Sequence, residues 1–338
     1  MPDIQTNSVP NFNHSYKLLI GQATDTSKKT NANGTFTSKI DLDTKLASTK
    51  KSSGTMKLLT EHQITFSIKK DNNKDPNKGS IVIYNLSDDT VNYINNSIRN
   101  NLAVALAVGY QGQEEVLIFI GTVQWVSDVW KGTDRLTELH CVDGGINISL
   151  ANTSRSYPKG TKISKVIKDI AGDLGTNSGN LSIDSDAAIS SASHMCGNSS
   201  EYLEGLCKSI DHNVSIQDGS VYITPRSQRQ EKRSAYISPE TGLIGSPQPF
   251  HNDIKPAKKV TKSTSKKAKK PTDGVTFKCQ INGNILPEKT VYLKSRAYDG
   301  YFKVVTVTHT GDYEGKDWIS EVEAVSVSGI ISKTVKTE

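Results

Sequence analysis

Apolar residues along this chain recur mostly at every second position, the period of a strand with one buried face. Gln63 to Ile68 alternates cleanly, the turn-rich DNNKDPNKGS follows, and Ile81 to Leu86 reads as a second strand. Ser87 or Asp88 then caps a short helix with Val91, Ile94 and Ile98 on one side. Leu102 to Tyr110 and Val116 to Val123 are strongly apolar strands joined by Gln111, Gly112 and Gln113. In the first, Leu102, Val104, Leu106 and Val108 share one face and Ala103, Ala105 and Ala107 the other, which predicts a strand buried on both sides. Gly121 is expected to mark a bend or bulge. Upstream, Tyr16 to Ile20 and Ile40 to Leu46 read as strands among polar, low-complexity pieces. Five or six strands with one small helix over residues 1–150 predict a barrel or sandwich.

After Ala151 the period changes. Thr161 is placed to cap a helix reaching Leu174, with Ile163, Val166, Ile167 and Ile170 on one stripe and Gly175 at its end. Ser200 is placed to cap a second helix through Leu203, Leu206, Cys207 and Ile210. Asn213 to Gln217 and Ser220 to Thr224, split by Asp218-Gly219, predict a hairpin. Residues 151–226 therefore read as a small α+β module inserted into a mainly β chain. Arg226 to Arg233 is a polar, basic linker, and strands return at Ser234 to Ser238, Val275 to Ile281, Thr290 to Leu293, Tyr301 to Thr308 and Trp318 to Val327. Residues 227–338 form the third predicted unit.

One stretch occurs twice. Trp130 to Val142 aligns without gaps on Tyr313 to Val325, pairing Gly132 with Gly315, Asp134 with Asp317, Thr137 with Ser320, Glu138 with Glu321 and Leu139 with Val322. Each copy reads as a hairpin corner. An aromatic ends one strand, a glycine takes a turn conformation closed to other residues, an aspartate bonds the turn, and an alternating strand follows. The chain is thus expected to carry two related β domains flanking the helical insert.

Composition narrows the class. At 338 residues the chain is long enough for two or three cores, and its apolar runs fall far short of the roughly 20 residues that span a bilayer. The polar start MPDIQTNSVP has neither a basic nor an apolar signal region, so no export or stable membrane insertion is expected. The triplets at Asn85, Asn147 and Asn198 then read as accidents of composition. Cys141, Cys196, Cys207 and Cys279 form no C-x-x-C pair and fit reduced thiols. The formal charge of +6 is more than covered by Lys255 to Lys270, whose eight lysines carry no acid and no aromatic for base stacking. That run reads as a solvated loop, with an acidic partner or nucleic acid as the other reading.

Candidate chemistry is sparse. His194, Cys196, Cys207 and His212 have zinc-binding side chains, but their spacings match no usual knuckle and Cys207 sits on an apolar helix stripe. Buried thiols and surface histidines account for them, and no metal or other cofactor is expected. His309 with Asp312 and Asp317 resembles an acid/base set, yet both aspartates have turn roles available. Glu114 and Glu115 read as solvating a hairpin loop. There is no G-x-S-x-G, H-E-x-x-H or phosphate-binding loop, hence no positive argument for an enzyme.

Two groups of segments carry a family resemblance. IVIYNLSDDTVNYI, AVGYQGQEEVLIFIGTV and DRLTELHCVDGG resemble the N-terminal half of the baseplate hub proteins (late control protein D-like) of contractile-tailed bacteriophages. ETGLIGSPQ, ILPEKTVYLKS and YFKVVTVTHTGDYEGKDWISEVEAV resemble their C-terminal half. The resemblance runs from about Gln63 to Val327 and departs from the family at the lysine run and the long polar N-terminus. It implies two tandem tube-like β-barrel domains and a homotrimer, so that three chains present six domains to a hexameric tail tube. Tail tube protein, spike protein and other baseplate proteins would be partners, with DNA passing through the lumen. The place would be the virion tail baseplate, and the host cytoplasm during assembly. Trp130, Gly132, Asp134, Thr241, Gly242, Gly245, His309, Asp312, Gly315, Asp317 and Trp318 would have structural or contact roles. The alternatives are a hub or spike component of a related contractile secretion system and a baseplate-borne cell-wall hydrolase.

Overall fold

In the computed structural model the described residues are 13–21, 56–72, 76–100, 102–143, 151–174, 177–183, 185, 187–225, 235–251 and 273–326. The lysine run, the strand expected at Ile40 to Leu46, Gly175 and the linker after Arg226 lie outside them. The first β region contains β1 (His14–Gly21), β2 (Met56–Leu59), β3 (Ile64–Asp71), β4 (Lys78–Tyr84), helix α1 (Asp88–Ser97), β5 (Ala103–Tyr110), β6 (Val116–Lys131) and β7 (Asp134–Asp143). The insert contains β8 (Asn152–Tyr157), α2 (Ile163–Asp173), β9 (Asn177–Leu181), β10 (Ser193–Asn198), α3 (Ser199–Ser209), β11 (His212–Gln217) and β12 (Ser220–Pro225). The last region contains β13 (Ala235–Ile237), β14 (Leu243–His251), β15 (Asp273–Gln280), β16 (Thr290–Lys294), β17 (Asp299–Asp312) and β18 (Trp318–Ser326).

The fold is mainly β with a small helical part, as the alternation implied, but the two β regions are not two separately closed barrels. Among the described residues a single ladder runs β14-β15-β18-β17-β3-β4-β7-β6-β5-β1-β2, with β16 branching from β17 and β13 from β16, and no pairing joins its ends. Strand length explains the suture. Asp299 to Lys303 of β17 pair with β16, and on from Thr306 to Asp312 the strand pairs with β3. A strand long enough for two neighbours stitches one region to the other.

Packing follows the sequence pattern closely in the first region. Leu102, Val104, Leu106 and Val108 enter a core with Ile64, Phe66, Ile68, Ile81 and Ile83, while Ala103, Ala105 and Ala107 face Leu19 and Ile120 in a second cluster. Each fully buried aliphatic side chain there contributes about 1.5–3 kcal/mol. Trp318 of the last region also belongs to this core: its indole meets Phe66 edge-on at 5.3 Å, stacks on His14 at 4.5 Å, and donates Nε1 to the Gly109 carbonyl at 3.1 Å. The last region has its own core around Phe277, Val291, Phe302, Val304, Val307 and Val322. Gly121 does not make the expected bulge. It lies in regular pairing with Val104 and Asp143, and a side chain there would strike the Val142 carbonyl and the Phe119 ring.

Two helix caps differ from expectation. Ser87 caps α1, accepting from the Thr90 amide as expected. Thr161 instead donates its hydroxyl to the Pro158 carbonyl at 2.7 Å, and Lys162 stands at the N-cap of α2 without a side-chain cap bond. Asn198, not Ser200, caps α3, its Oδ1 accepting from the amides of Ser200 at 3.0 Å and Glu201 at 3.2 Å. The amide oxygen two residues earlier reaches both free N–H groups, which a serine already inside the helix cannot do.

Candidate assembly interface

The sequence repeat extends to four strands. Ungapped alignment of β7 on β18 places Thr137 with Ser320 and Leu139 with Val322, and all four are fully buried. The preceding strands carry the same irregularity. Register slips between Val123 and Trp125 opposite Cys141 and His140, and between Val304 and Thr306 opposite their counterparts Ala324 and Glu323. On the far side Ile81 pairs Leu139 as Phe277 pairs Val322, then Ile64 pairs Ile83 as Leu243 pairs Cys279. Quartet β3-β4-β7-β6 therefore has the order and, apart from the shift in β14 between Ile244 and Gln248, the register of quartet β14-β15-β18-β17.

The corners themselves differ, and they correct the alignment across the turn. Trp130 pairs Arg135, whereas Gly311 pairs Trp318, so the ladder counterpart of Trp130 is Gly311, not Tyr313. Gly132, at φ 68, occupies a two-residue turn between paired Lys131 and Asp134. In the second corner the Asp312 amide bonds the Asp317 carbonyl at 2.6 Å around a turn two residues longer. Gly315 there has no left-handed backbone. It is required because a side chain would overlap the Asp312 carboxylate, whose Oδ1 accepts from the Gly315 amide at 3.0 Å and from Gln63 Nε2 at 2.6 Å. The aspartate that closes this turn with its side chain is thus Asp312 rather than Asp317, and Asp134 reaches Asn85 Nδ2 at 3.1 Å instead of its own turn.

The two quartets leave two edges without a neighbour among the described residues. The outer part of β6, from Gln124 to Lys131, pairs only with β7, and β14 pairs only with β15. These are the counterparts of β17 and β3, the two strands that are sutured. The open edge of β6 is apolar: Trp125 and Val129 are 52% exposed and Trp130 70%, while Ile244 on β14 is 44% exposed. The β6–β7 arm is braced rather than loose. Trp125 stacks on His140 at 3.4 Å, and Arg135 lies 5.9 Å over the Trp130 ring while donating to Asp128 and Asp88. That guanidinium holds the Asp128 carboxyl below the usual carboxylate range.

Thr241, Gly242 and Gly245 set up β14. Thr241 Oγ1 accepts from the Ser238 amide at 2.8 Å to close a short 3-10 turn, Gly242 leaves it at φ 102 against the Gln280 side chain, and Gly245 at φ 69 lies in the register shift between Ile244 and Gln248.

The remaining candidates do not converge. Ser156 Oγ bonds His194 Nδ1 at 2.8 Å, Cys196 is exposed, Cys207 is buried with its thiol pushed up to about 12 by desolvation, and His212 Nδ1 lies 2.7 Å from the Ile210 carbonyl. Among the described residues no three His, Cys, Asp or Glu side chains gather as a metal-binding group. His309 is not at the corner with Asp312. It is fully buried in β17, bonded through Nδ1 to Ser320 Oγ at 2.8 Å, and desolvation with the nearby Lys70 charge pushes its pKa down to about 3. Glu115 pairs Lys17 at 3.0 Å.

A buried polar junction escaped the sequence reading. Lys70 Nζ, fully buried, meets Asp218 at 2.7 and 2.9 Å. Asp143, also fully buried, accepts from the amides of Asp218 at 2.7 Å and Gly219 at 2.6 Å and from Asn77 Nδ2 at 3.0 Å. Burial and the neighbouring Asp218 raise the Asp143 pKa against the opposing Lys70 charge. Glu288 accepts from Lys303 at 2.6 Å, Thr224 Oγ1 at 2.5 Å, Asn213 at 3.0 Å and Asn72 at 2.9 Å. One signal was available: period-2 alternation puts Lys70 on the same face as Ile64, Phe66 and Ile68.

No protein-family model matches the sequence, and no curated protein sequence matches it significantly. Solved structures do match in fold. The prophage MuSo2 43 kDa tail protein from Shewanella oneidensis aligns over 82% of this chain and 97% of its own, with TM-score 0.55 and 8% identity. The tail protein from Neisseria meningitidis MC58 aligns over 92% and 96%, with TM-score 0.55 and 11% identity. The E. coli c3393 protein, a type VI secretion component described as similar to the T4 tail proteins gp27 and gp5, aligns over 79% and 74%, with TM-score 0.52 and 8% identity. The chain shares the fold of these tail proteins and of the type VI secretion component.

Proposed function

We propose that this chain is a non-catalytic hub of a contractile-tail baseplate, in which copies join edge to edge into a closed ring. The observation that carries the reading is the duplicated quartet: one β17–β3 type of seam is made within the chain, and the two strands able to make another have no neighbour on that side among the described residues. Pairing β6 of one copy with β14 of the next repeats the internal seam, and a head-to-tail contact of this kind closes when its rotation closes. Three copies give six quartets, which suits a six-fold tube on one side and a three-fold spike on the other. In this role the hub starts tube assembly, contacts tube, spike and other baseplate proteins, and lets DNA through the lumen in the virion tail. Carrying the internal register across places Val129 opposite Gln248 of the next copy, as Thr310 lies opposite Ser67. Pro247 and Pro249 withhold donors, so the seam is a partial ladder. The fold of the type VI component supports a second reading, the equivalent position in a contractile secretion system.

Light scattering tests the ring. A mass of about 110 kDa, three times 36.8 kDa, is expected. A monomer at high concentration, with and without the spike protein, overturns it. The seam is tested separately by Val129→Cys with Gln248→Cys in a Cys196→Ser background. A covalent ladder of chains on a non-reducing gel is expected only in the double variant.

A further inference from the structure

We infer that residues 151–225 act as a detachable staple across the β17–β3 suture, fixing the angle between the two quartets while docked and releasing it when undocked. The segment has a complete apolar cluster of its own, from Tyr157 through Val166, Ile170, Leu203 and Val214 to Ile223, and it shares no residue with the cores of either β region. The described attachments to those regions are instead polar and gather at the β11–β12 hairpin. The tip holds the first region through Asp218 on Lys70, the Asp218 and Gly219 amides on Asp143, and Gln217 Nε2 on the Asp71 carbonyl at 2.7 Å. The base holds the last region through Asn213 and Thr224 on Glu288 and through Lys303 Nζ on the Pro225 carbonyl at 3.4 Å.

Both contacts fall at one end of the suture. Lys70 is paired with Val307, and Lys303 lies in the same β17 strand. Glu288 receives side-chain donors from the first region (Asn72), the staple (Asn213, Thr224) and the last region (Lys303). Of the two acids that make these contacts, Asp218 at φ 50 takes the left-handed backbone that its Asp-Gly hairpin turn requires, and Glu288 at φ 68 holds a left-handed backbone that non-glycine residues seldom adopt.

Polar attachment explains why the staple can open. Two apolar cores that merge unfold together, because separating them exposes large apolar area. A buried ion pair gives back in desolvation most of what it gains in attraction, so it fixes geometry strongly but adds little net hold. Interfaces of this polar kind within a chain permit relative motion. The inference does not depend on ring formation.

Hydrogen exchange on the full chain tests it, comparing wild type with Asp218→Asn/Glu288→Gln. Amides of residues 217–219 and of Lys70 and Asp71 are expected to exchange at least tenfold faster in the variant, while those inside α2 and α3 stay within about twofold. Loss of protection in α2 and α3 in step with β3 and β17 overturns the inference, because the segment would then be part of one cooperative body. Unchanged exchange at the hairpin also overturns it. Glu288→Gln alone serves if the double variant does not fold, with the faster exchange then confined to residues 213 and 224. Glu204→Gln, which weakens the surface pair with Lys208 on α3 away from the hairpin, is the control and should change none of these amides.

Discussion

β6 and β17 are counterparts in register and bulge, yet among the described residues the outer half of β6 pairs only with β7 while that of β17 is sealed by β3. The difference decides what each position tolerates. Where β17 carries Gly311, packed so tightly that a side chain would overlap the Phe66 and Trp318 rings, β6 carries Trp130. Where β17 carries His309, fully buried and held neutral, β6 carries Asp128, ionised and clamped by Arg135. Sealing an edge selects small or uncharged residues, and leaving it open permits large aromatic and charged ones.

Four experiments break or sharpen this contrast. The largest effect is expected from Trp318→Ala, which removes the indole that plants the last region in the core of the first; a loss of about 3–5 kcal/mol should appear in denaturant unfolding. Gly311→Ala should cost about 1–3 kcal/mol by forcing a methyl into the Phe66 and Trp318 rings. A wild-type melting curve from that variant would show that the sealed side has room to spare.

The third experiment is a pH series. His309 has its pKa lowered from 6.5 to about 3 in the folded protein. Between those values the unfolded chain takes up a proton that the folded chain refuses. The stability this group supports is therefore complete above 6.5 and is lost as pH falls towards 3, at most about 1.4 kcal/mol per pH unit. His309→Gln should flatten that part of the curve relative to wild type, and identical slopes would remove His309 as the cause. The smallest stability effect, within about 0.5 kcal/mol, is expected at the open edge from Trp130→Ser. The same substitution should nonetheless lower the assembled mass seen by light scattering, and an unchanged assembly would take Trp130 out of the proposed seam.

The alternation of Ile64, Phe66 and Ile68, the two-faced strand from Leu102 to Val108 and the Asp218-Gly219 hairpin were legible in the sequence because each depends on residues adjacent in the chain. The repeat was legible too, in β7 and β18, since inward positions must stay in phase on both copies. The turn between the paired strands was misaligned by two residues because side-chain chemistry alone does not count turn length. The same limit hid the reason for Gly315: a close approach by Asp312 looks, in sequence, like any turn glycine. Lys70 and Glu288 were unreadable as partners of residues 213–225, since nothing local says which distant donor will meet a buried charge.

The sequence by itself determined the elements, their buried faces and the duplication, all products of short-range periodicity. Only the tertiary structure decided that one pair of equivalent edges is sealed and that the other has no partner strand among the described residues. That choice depends on where long strands end and which distant strand reaches their second half, a matter of chain path that no local pattern encodes.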